Sequence, residues 1–281
     1  MSTLTASERL YVTSRYNSAC VVVKQGDLLE VTYVNSKPAP RRPGKRKAIS
    51  GFSPAARLRM LKRMATIYWE GVGPSLFVTV TYPDSVVSRT KEERTKDRSR
   101  LFRDMEKHLG REIGLLWRIE WVTRKSGDRQ GTMAPHVHLI VFDCKWFDCH
   151  QLNKLWRGVL AVDGYLRTEV QAIKGQRDVA KYVAKYAAKV PEASSLVIPS
   201  YLNIEGRHWG IHRPELIPWC VRGFDLRYTP EEIALLENAA ASKIPFFNKG
   251  TRTGFSLFGP VVKVVTEEIR LRRLDRLGLT G

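Results

Sequence analysis

Two histidines stand one residue apart in Met133-Ala134-Pro135-His136-Val137-His138-Leu139-Ile140-Val141-Phe142. Pro135 interrupts what precedes it and an apolar, β-branched run follows, so the pattern predicts a strand opening at His136. Side chains alternate along a strand, which puts His136 and His138 on one face and Val137, Leu139 and Val141 on the other. Two adjacent imidazoles can hold one divalent ion; they can equally pack as neutral rings on a sheet. The chain has six histidines among 281 residues. At that frequency a chance H-x-H pair arises in roughly one such chain in eight, so the neighbours must decide.

Two imidazoles seldom complete a site for Mg²⁺ or Mn²⁺, and a carboxylate is the expected third ligand. Glu120, in Trp117-Arg118-Ile119-Glu120-Trp121, is the candidate, because an acid flanked by apolar residues needs a cation beside it. Arg118, two residues away on the same face, is the competing partner, and the loop from 124 to 134 is too long to set the register of the two strands. Cys144, Cys149 and His150 lack a fourth ligand and a zinc-site spacing, and read as structural. Downstream, Tyr182 and Tyr186 fall four apart on a segment capped by Asp178 and stopped by Pro191, so both phenols point the same way from one helix. Lys181, Lys185 and Lys189 repeat on an adjacent face. Lysines beside a phenol lower its pKa and hold phosphate, which suits a tyrosine attacking a phosphodiester; two tyrosines beside valines also suit a core.

The elements around these residues can be read in part. Lys plus Arg number 47 against 28 Asp plus Glu, a net charge of +19 and a pI near 10.0. That excess calls for a polyanion, and nucleic acid is the first candidate. No apolar run reaches the length of a spanning helix and the first residues do not read as a signal peptide, so a cytoplasmic location without a membrane is expected. Four scattered cysteines suit a reducing compartment. Runs 19–24 and 28–34, around Gly26-Asp27, predict a hairpin. The stretch 37–47 holds three prolines and six basic residues; it reads as a basic arm, with Arg41, Arg42, Lys45, Arg46 and Lys47 as phosphate contacts. A helix from Ser53-Pro54, a strand 76–82, a helix 90–109 with Leu101, Phe102, Met105 and Leu109 buried, a strand 115–123 pairing antiparallel with the histidine strand, a short helix capped by Asp148, and a strand 165–172 follow. Ile140 and Phe142 continue the histidine face, so a helix is expected over it. Thr229-Pro230-Glu231-Glu232 is a capping box, and 266–277 reads as a last helix. The nucleotide-binding G-x-x-x-x-G-K-[ST] loop is missing, so no ATPase or helicase part is expected.

Taken together, Phe77-Val78-Thr79-Val80-Thr81-Tyr82, Pro135-His136-Val137-His138-Leu139 and Tyr182-Val183-Ala184-Lys185-Tyr186 resemble, in order and spacing, the HUH-type initiators of rolling-circle replication, particularly those of small single-stranded DNA phages and similar plasmids. Gly206-Arg207-His208-Trp209-Gly210 resembles a segment of the phage members. The resemblance covers about 76–189. It implies an α+β fold, a central antiparallel sheet flanked by helices (ferredoxin- or RRM-like), within three consecutive parts: 1–70, an endonuclease core at 71–191, and a basic accessory region at 192–281. It also implies a site-specific single-strand endonuclease and ligase: Tyr182 and Tyr186 as alternating nucleophiles forming a 5′-phosphotyrosine link, Lys185 on phosphate, and His136, His138 and Glu120 on Mg²⁺ or Mn²⁺. Lys181 and Lys189 would bind DNA. Origin DNA and a host helicase and polymerase are the implied partners. A relaxase or transposase would use the same chemistry, and a non-catalytic nucleic-acid-binding protein is the alternative from another class.

Overall fold

The computed structural model describes residues 12–13, 19–33, 54–123, 130–131, 133–173, 207–221, 223–225, 228–243 and 254–279. The arm at 37–47 and the tyrosine segment, with Tyr182, Tyr186 and Lys181, Lys185 and Lys189, lie outside them. The fold is α+β, with antiparallel sheets flanked by helices. Contacts divide the chain into two compact units: one takes in 1–45, 61–67 and 219–281, the other 46–60 and 68–218. The parts read from the sequence are consecutive; here the two ends of the chain share a unit.

In the first unit, β1 (Val12–Thr13), β2 (Ala19–Gln25) and β3 (Leu28–Tyr33) form an antiparallel set. The expected hairpin turns at Gly26, whose φ of +58° is one that L side chains avoid. A methyl group there would also stand 2.7 Å from Cys220 Sγ and 2.8 Å from the Ala65 carbonyl oxygen. The sheet is completed from the far end of the chain: β9 (Gly223–Asp225) pairs with β2, and β10 (Gly254–Phe258) pairs with β3. Two helices, α4 (Pro230–Lys243) and α5 (Pro260–Arg276), lay Ile233, Leu236, Val262, Val265 and Ile269 on Val22, Leu29 and Val31. The expected box at Thr229 forms, with Glu232 N–H donating to Thr229 Oγ1 at 3.3 Å and Thr229 N–H to Glu232 Oε2 at 3.0 Å. The last helix starts at Pro260, six residues before the expected 266, because Gly259 breaks the chain and proline suits a first helical turn.

The second unit is built on a five-stranded antiparallel sheet. Its strands are β4 (Ser75–Thr81), β5 (Leu115–Thr123), β6 (Met133–Val141), β7 (Thr168–Ile173) and β8 (Trp209–His212), in the spatial order β7-β4-β6-β5-β8. Between β4 and β5 runs α2 (Lys91–Leu109), opened by Thr90, which accepts from Glu93 N–H, and closed by Gly110 in the left-handed region. Between β6 and β7 runs α3 (Cys149–Leu160), with Asp148 Oδ1 accepting from Gln151 N–H at 2.7 Å. Both helices pack on one face of the sheet. Leu101, Phe102 and Met105 from α2 and Leu152 and Trp156 from α3 meet Leu76, Val78, Val80, Leu115, Ile119, Val137, Leu139 and Val141. Helix α2 also buries Arg94 and Arg98, whose guanidinium groups lie over the rings of Trp121 and Trp117 at 5.0 and 4.5 Å. Helix α1 (Pro54–Ala65) starts where Ser53-Pro54 predicted.

Two expectations change. The histidine strand opens at Met133, three residues early, and Pro135 lies inside it. Pro135 sits opposite Trp121, and its carbonyl accepts from Tyr82 N–H at 3.0 Å on the β4 side. The N–H and C=O of a strand residue point the same way, so the missing N–H falls where the β4 ladder has already ended, and no ladder bond is lost. Secondly, α2 and α3 cover the face opposite the histidines, because the Val137-Leu139-Val141 side continues an apolar layer across β4 and β5. The strand expected at 165–172 runs from Thr168 to Ile173.

Candidate active site

The site face is laid out by strand register. Thr81, His136 and Glu120 share one row across β4, β6 and β5; Thr79, His138 and Arg118 share the next; Phe77, Ile140 and Leu116 the third. Alternation puts all nine on the face turned away from α2 and α3. Glu120, whose facing the sequence left open between the histidines and Arg118, therefore joins the histidine cluster. Its Oε2 lies 3.0 Å from His138 Nε2, and both side chains are close to nine-tenths shielded from solvent. A carboxylate so placed is stable only with a partner that donates to it or carries positive charge, and His138 Nε2 is within bonding range.

The threonines of β4 hold the other side of the imidazoles. Thr79 Oγ1 lies 3.0 Å from His138 Nδ1 in a buried contact, and Thr81 Oγ1 lies 3.4 Å from His136 Nδ1. Phe77 stacks on His138 with ring centroids 5.5 Å apart and planes 15° from parallel. With Nδ1 engaged, both rings are held by the nitrogen that leaves Nε2 for a further partner. The sequence analysis placed Phe77, Thr79 and Thr81 on one strand face without linking them to the histidines; the strand pairing that would have linked them has no local signal. A second acid on this face, Glu169 of β7, stands opposite Thr79, one strand beyond Glu120's reach of His138, and is exposed.

Two imidazoles and a carboxylate are a donor set for a divalent cation. A 3.0 Å separation of Nε2 from Oε2 matches two ligands set at about a right angle around one ion at bond lengths of roughly 2.1 Å. The ring of His136 stands beside that pair, its centroid 6.0 Å from that of His138. Among the described residues no three His, Cys, Asp or Glu groups are gathered closely enough to hold an ion. The cluster is thus a bonded His138–Glu120 pair with a third donor alongside, and the donor chemistry fits a metal that would enter between them. Cys144 and Cys149 are bound up elsewhere, Cys144 Sγ donating to the Trp146 carbonyl and Cys149 Sγ to that of Thr168, in line with structural roles.

The far edge of β5 is covered by β8. Gly210 abuts the indole of Trp117, where a β-carbon would come within 2.7 Å of the ring, so this part of the Gly206–Gly210 segment is fitted to the edge of the site strand. His208 next to it is buried, and its carbonyl accepts from Ile119 N–H at 2.8 Å. Burial, with the positive charges of Arg118 and Arg98 nearby, pushes its imidazole down to about 4 from the ordinary 6.5. The unfolded chain therefore binds the extra proton between about pH 6.5 and 4 while the folded one does not. Stability is complete above the upper value and falls as the pH drops through this window, by on the order of 3 kcal/mol in all. Urea titrations from neutral to acid pH should show that slope flattened in His208→Gln; an unchanged slope would place the titration elsewhere.

Residues 75–191 match the family model for replication-associated proteins of the ORF2 and gene-II-protein type, under half of the chain. The matched segment starts with β4, takes in Glu120, His136 and His138, and runs on past Tyr182 and Tyr186. The match supports a replication-initiator role. No curated protein and no solved structure matches the chain. Among the described residues no helix is long and apolar enough to cross a membrane.

Proposed function

We propose that this protein initiates rolling-circle replication by nicking and rejoining single-stranded origin DNA through a tyrosine-linked 5′-phosphate. The observation that carries the reading is the His136–His138–Glu120 cluster on one sheet face, inside a segment matched to replication-associated proteins that continues to Tyr182 and Tyr186. In the proposed step a phenol oxygen of Tyr182 or Tyr186 attacks the scissile phosphorus. The P–O3′ bond breaks, the 3′-oxygen leaves as a hydroxyl by taking up a proton, and the phenol's proton passes to solvent or a neighbouring base. Lys185 holds a non-bridging phosphate oxygen, and Lys181 and Lys189 hold the flanking strand. Mg²⁺ or Mn²⁺ at His136, His138 and Glu120 would polarise the scissile phosphate. The second tyrosine cleaves the regenerated origin, and the free 3′-hydroxyl reverses the first link. The basic residues Arg41, Arg42, Lys45, Arg46 and Lys47 add phosphate contacts, and unwinding and synthesis fall to a host helicase and polymerase in the host cytoplasm.

The test uses the full chain, Mn²⁺ and single-stranded DNA from the replicon that encodes it, labelled on either side of candidate sites. The expected product is a denaturant-resistant protein–DNA adduct carrying the label 3′ to the nick, together with a free 3′-hydroxyl fragment. Binding to any single strand without an adduct would instead identify a non-catalytic nucleic-acid-binding protein.

A further inference from the structure

The hydroxyl of Thr79 has a role that ladder geometry alone does not require. It stands directly across from His138 in the β4–β6 register and meets Nδ1 at 3.0 Å in a buried position, while Nε2 on the other side of the ring meets Glu120 Oε2 at 3.0 Å. A carboxylate accepts only, so when no cation is present Nε2 must be the protonated nitrogen and donate to Glu120, leaving Nδ1 as an acceptor. A cation on Nε2 requires the opposite tautomer, with Nε2 bare and the proton on Nδ1. A hydroxyl can donate in the first state and accept in the second; a carbonyl could serve only one of them and an amide N–H only the other.

We propose that Thr79 is a positioning residue that lets His138 exchange ring tautomers as a divalent cation enters. The proposal rests on the cation reading of the site. The ring stays neutral throughout: one proton leaves Nε2, one arrives at Nδ1 through solvent, and the Thr79 O–H rotates from donating to accepting. A cation on Nε2 polarises the ring and makes Nδ1–H the stronger donor, so the hydroxyl contributes more in the loaded state than in the free one. Thr81 and His136, in the next row at 3.4 Å, repeat the arrangement more loosely.

The readouts are the ring-nitrogen NMR shifts of His138, assigned against His138→Gln, and Mn²⁺ affinity by electron paramagnetic resonance, both on the full chain. The metal-free protein should show Nε2 protonated, and saturating Mg²⁺ should move the proton to Nδ1. Thr79→Val, which keeps the shape and removes the hydroxyl, should weaken Mn²⁺ binding ~10-fold, the scale of outer-shell partners. Thr79→Ser should stay within about twofold, since its hydroxyl offers the same donor and acceptor. An unaltered amide spectrum shows that each variant is folded. The proposal is overturned by one tautomer in both states, by an imidazolium in the metal-free protein, by equal losses in the Val and Ser variants, or by no cation binding at His138. An adduct formed in that last case would sink this proposal alone and leave the nicking reading standing.

Discussion

Replacing Tyr182 and Tyr186 together by phenylalanine is expected to lower covalent adduct formation by on the order of 10⁴-fold or more, the scale of loss when a catalytic nucleophile is removed. The substitution deletes one oxygen from each side chain and leaves ring volume and helix spacing intact, so binding of single-stranded DNA should persist while the covalent step fails. Each single substitution leaves one phenol. The chain should then still cleave once but fail to reseal after a second cleavage, because no partner tyrosine can take the regenerated origin. Peptide mapping of the adduct in each single variant identifies which phenol attacks first. An adduct of undiminished yield in the double variant would show that the nucleophile is another residue, and would separate the chemistry of the sheet face from the tyrosine segment.

Trp156→Ala is expected to be the most damaging substitution in the described structure, costing about 3–5 kcal/mol of folding stability. The indole is fully buried, meets Tyr82 edge-on with centroids 4.9 Å apart, and donates Nε1–H to the Thr81 carbonyl at 2.9 Å. Truncation removes the largest side chain of the core and strands a buried acceptor at the end of β4. Trp156→Phe keeps most of the volume and should cost the lost hydrogen bond and part of the packing, about 1–2 kcal/mol. Denaturant midpoints check both values; a loss below about 1 kcal/mol for the alanine variant would mean that the core closes over the gap. The position also reaches the site. Thr81 faces His136, so loosening its carbonyl anchor should raise amide exchange at the β4 and β6 ends beside the histidines.

The two predictions lie at opposite limits of what local sequence can reveal. The tyrosine pair at four-residue spacing, the H-x-H strand and the apolar stripe of α2 are local periodicities, and they were legible without any structure. So were the caps at Thr90, Asp148 and Thr229 and the turn at Gly26-Asp27, because each depends on residues within one turn of one another. Strand partnership depends on residues far apart in the chain. Nothing in the stretch around Thr79 marks it as the neighbour of His138, 59 residues away. Nothing in the run from Gly254 to Phe258 announces that it completes the sheet begun by the Gly26 hairpin. The loop after Thr123 left the register of β5 against β6 open, and one residue of slip would have turned Glu120 to the opposite face. By itself the sequence determined which residues could do chemistry and which face of its own strand each occupies. Only tertiary pairing decided that Glu120 meets His138, that threonine hydroxyls hold the imidazoles, and that the helices lie on the other side. The physical reason is that alternation is a property of one strand, whereas register and partnership are set by the burial of a whole apolar face at once.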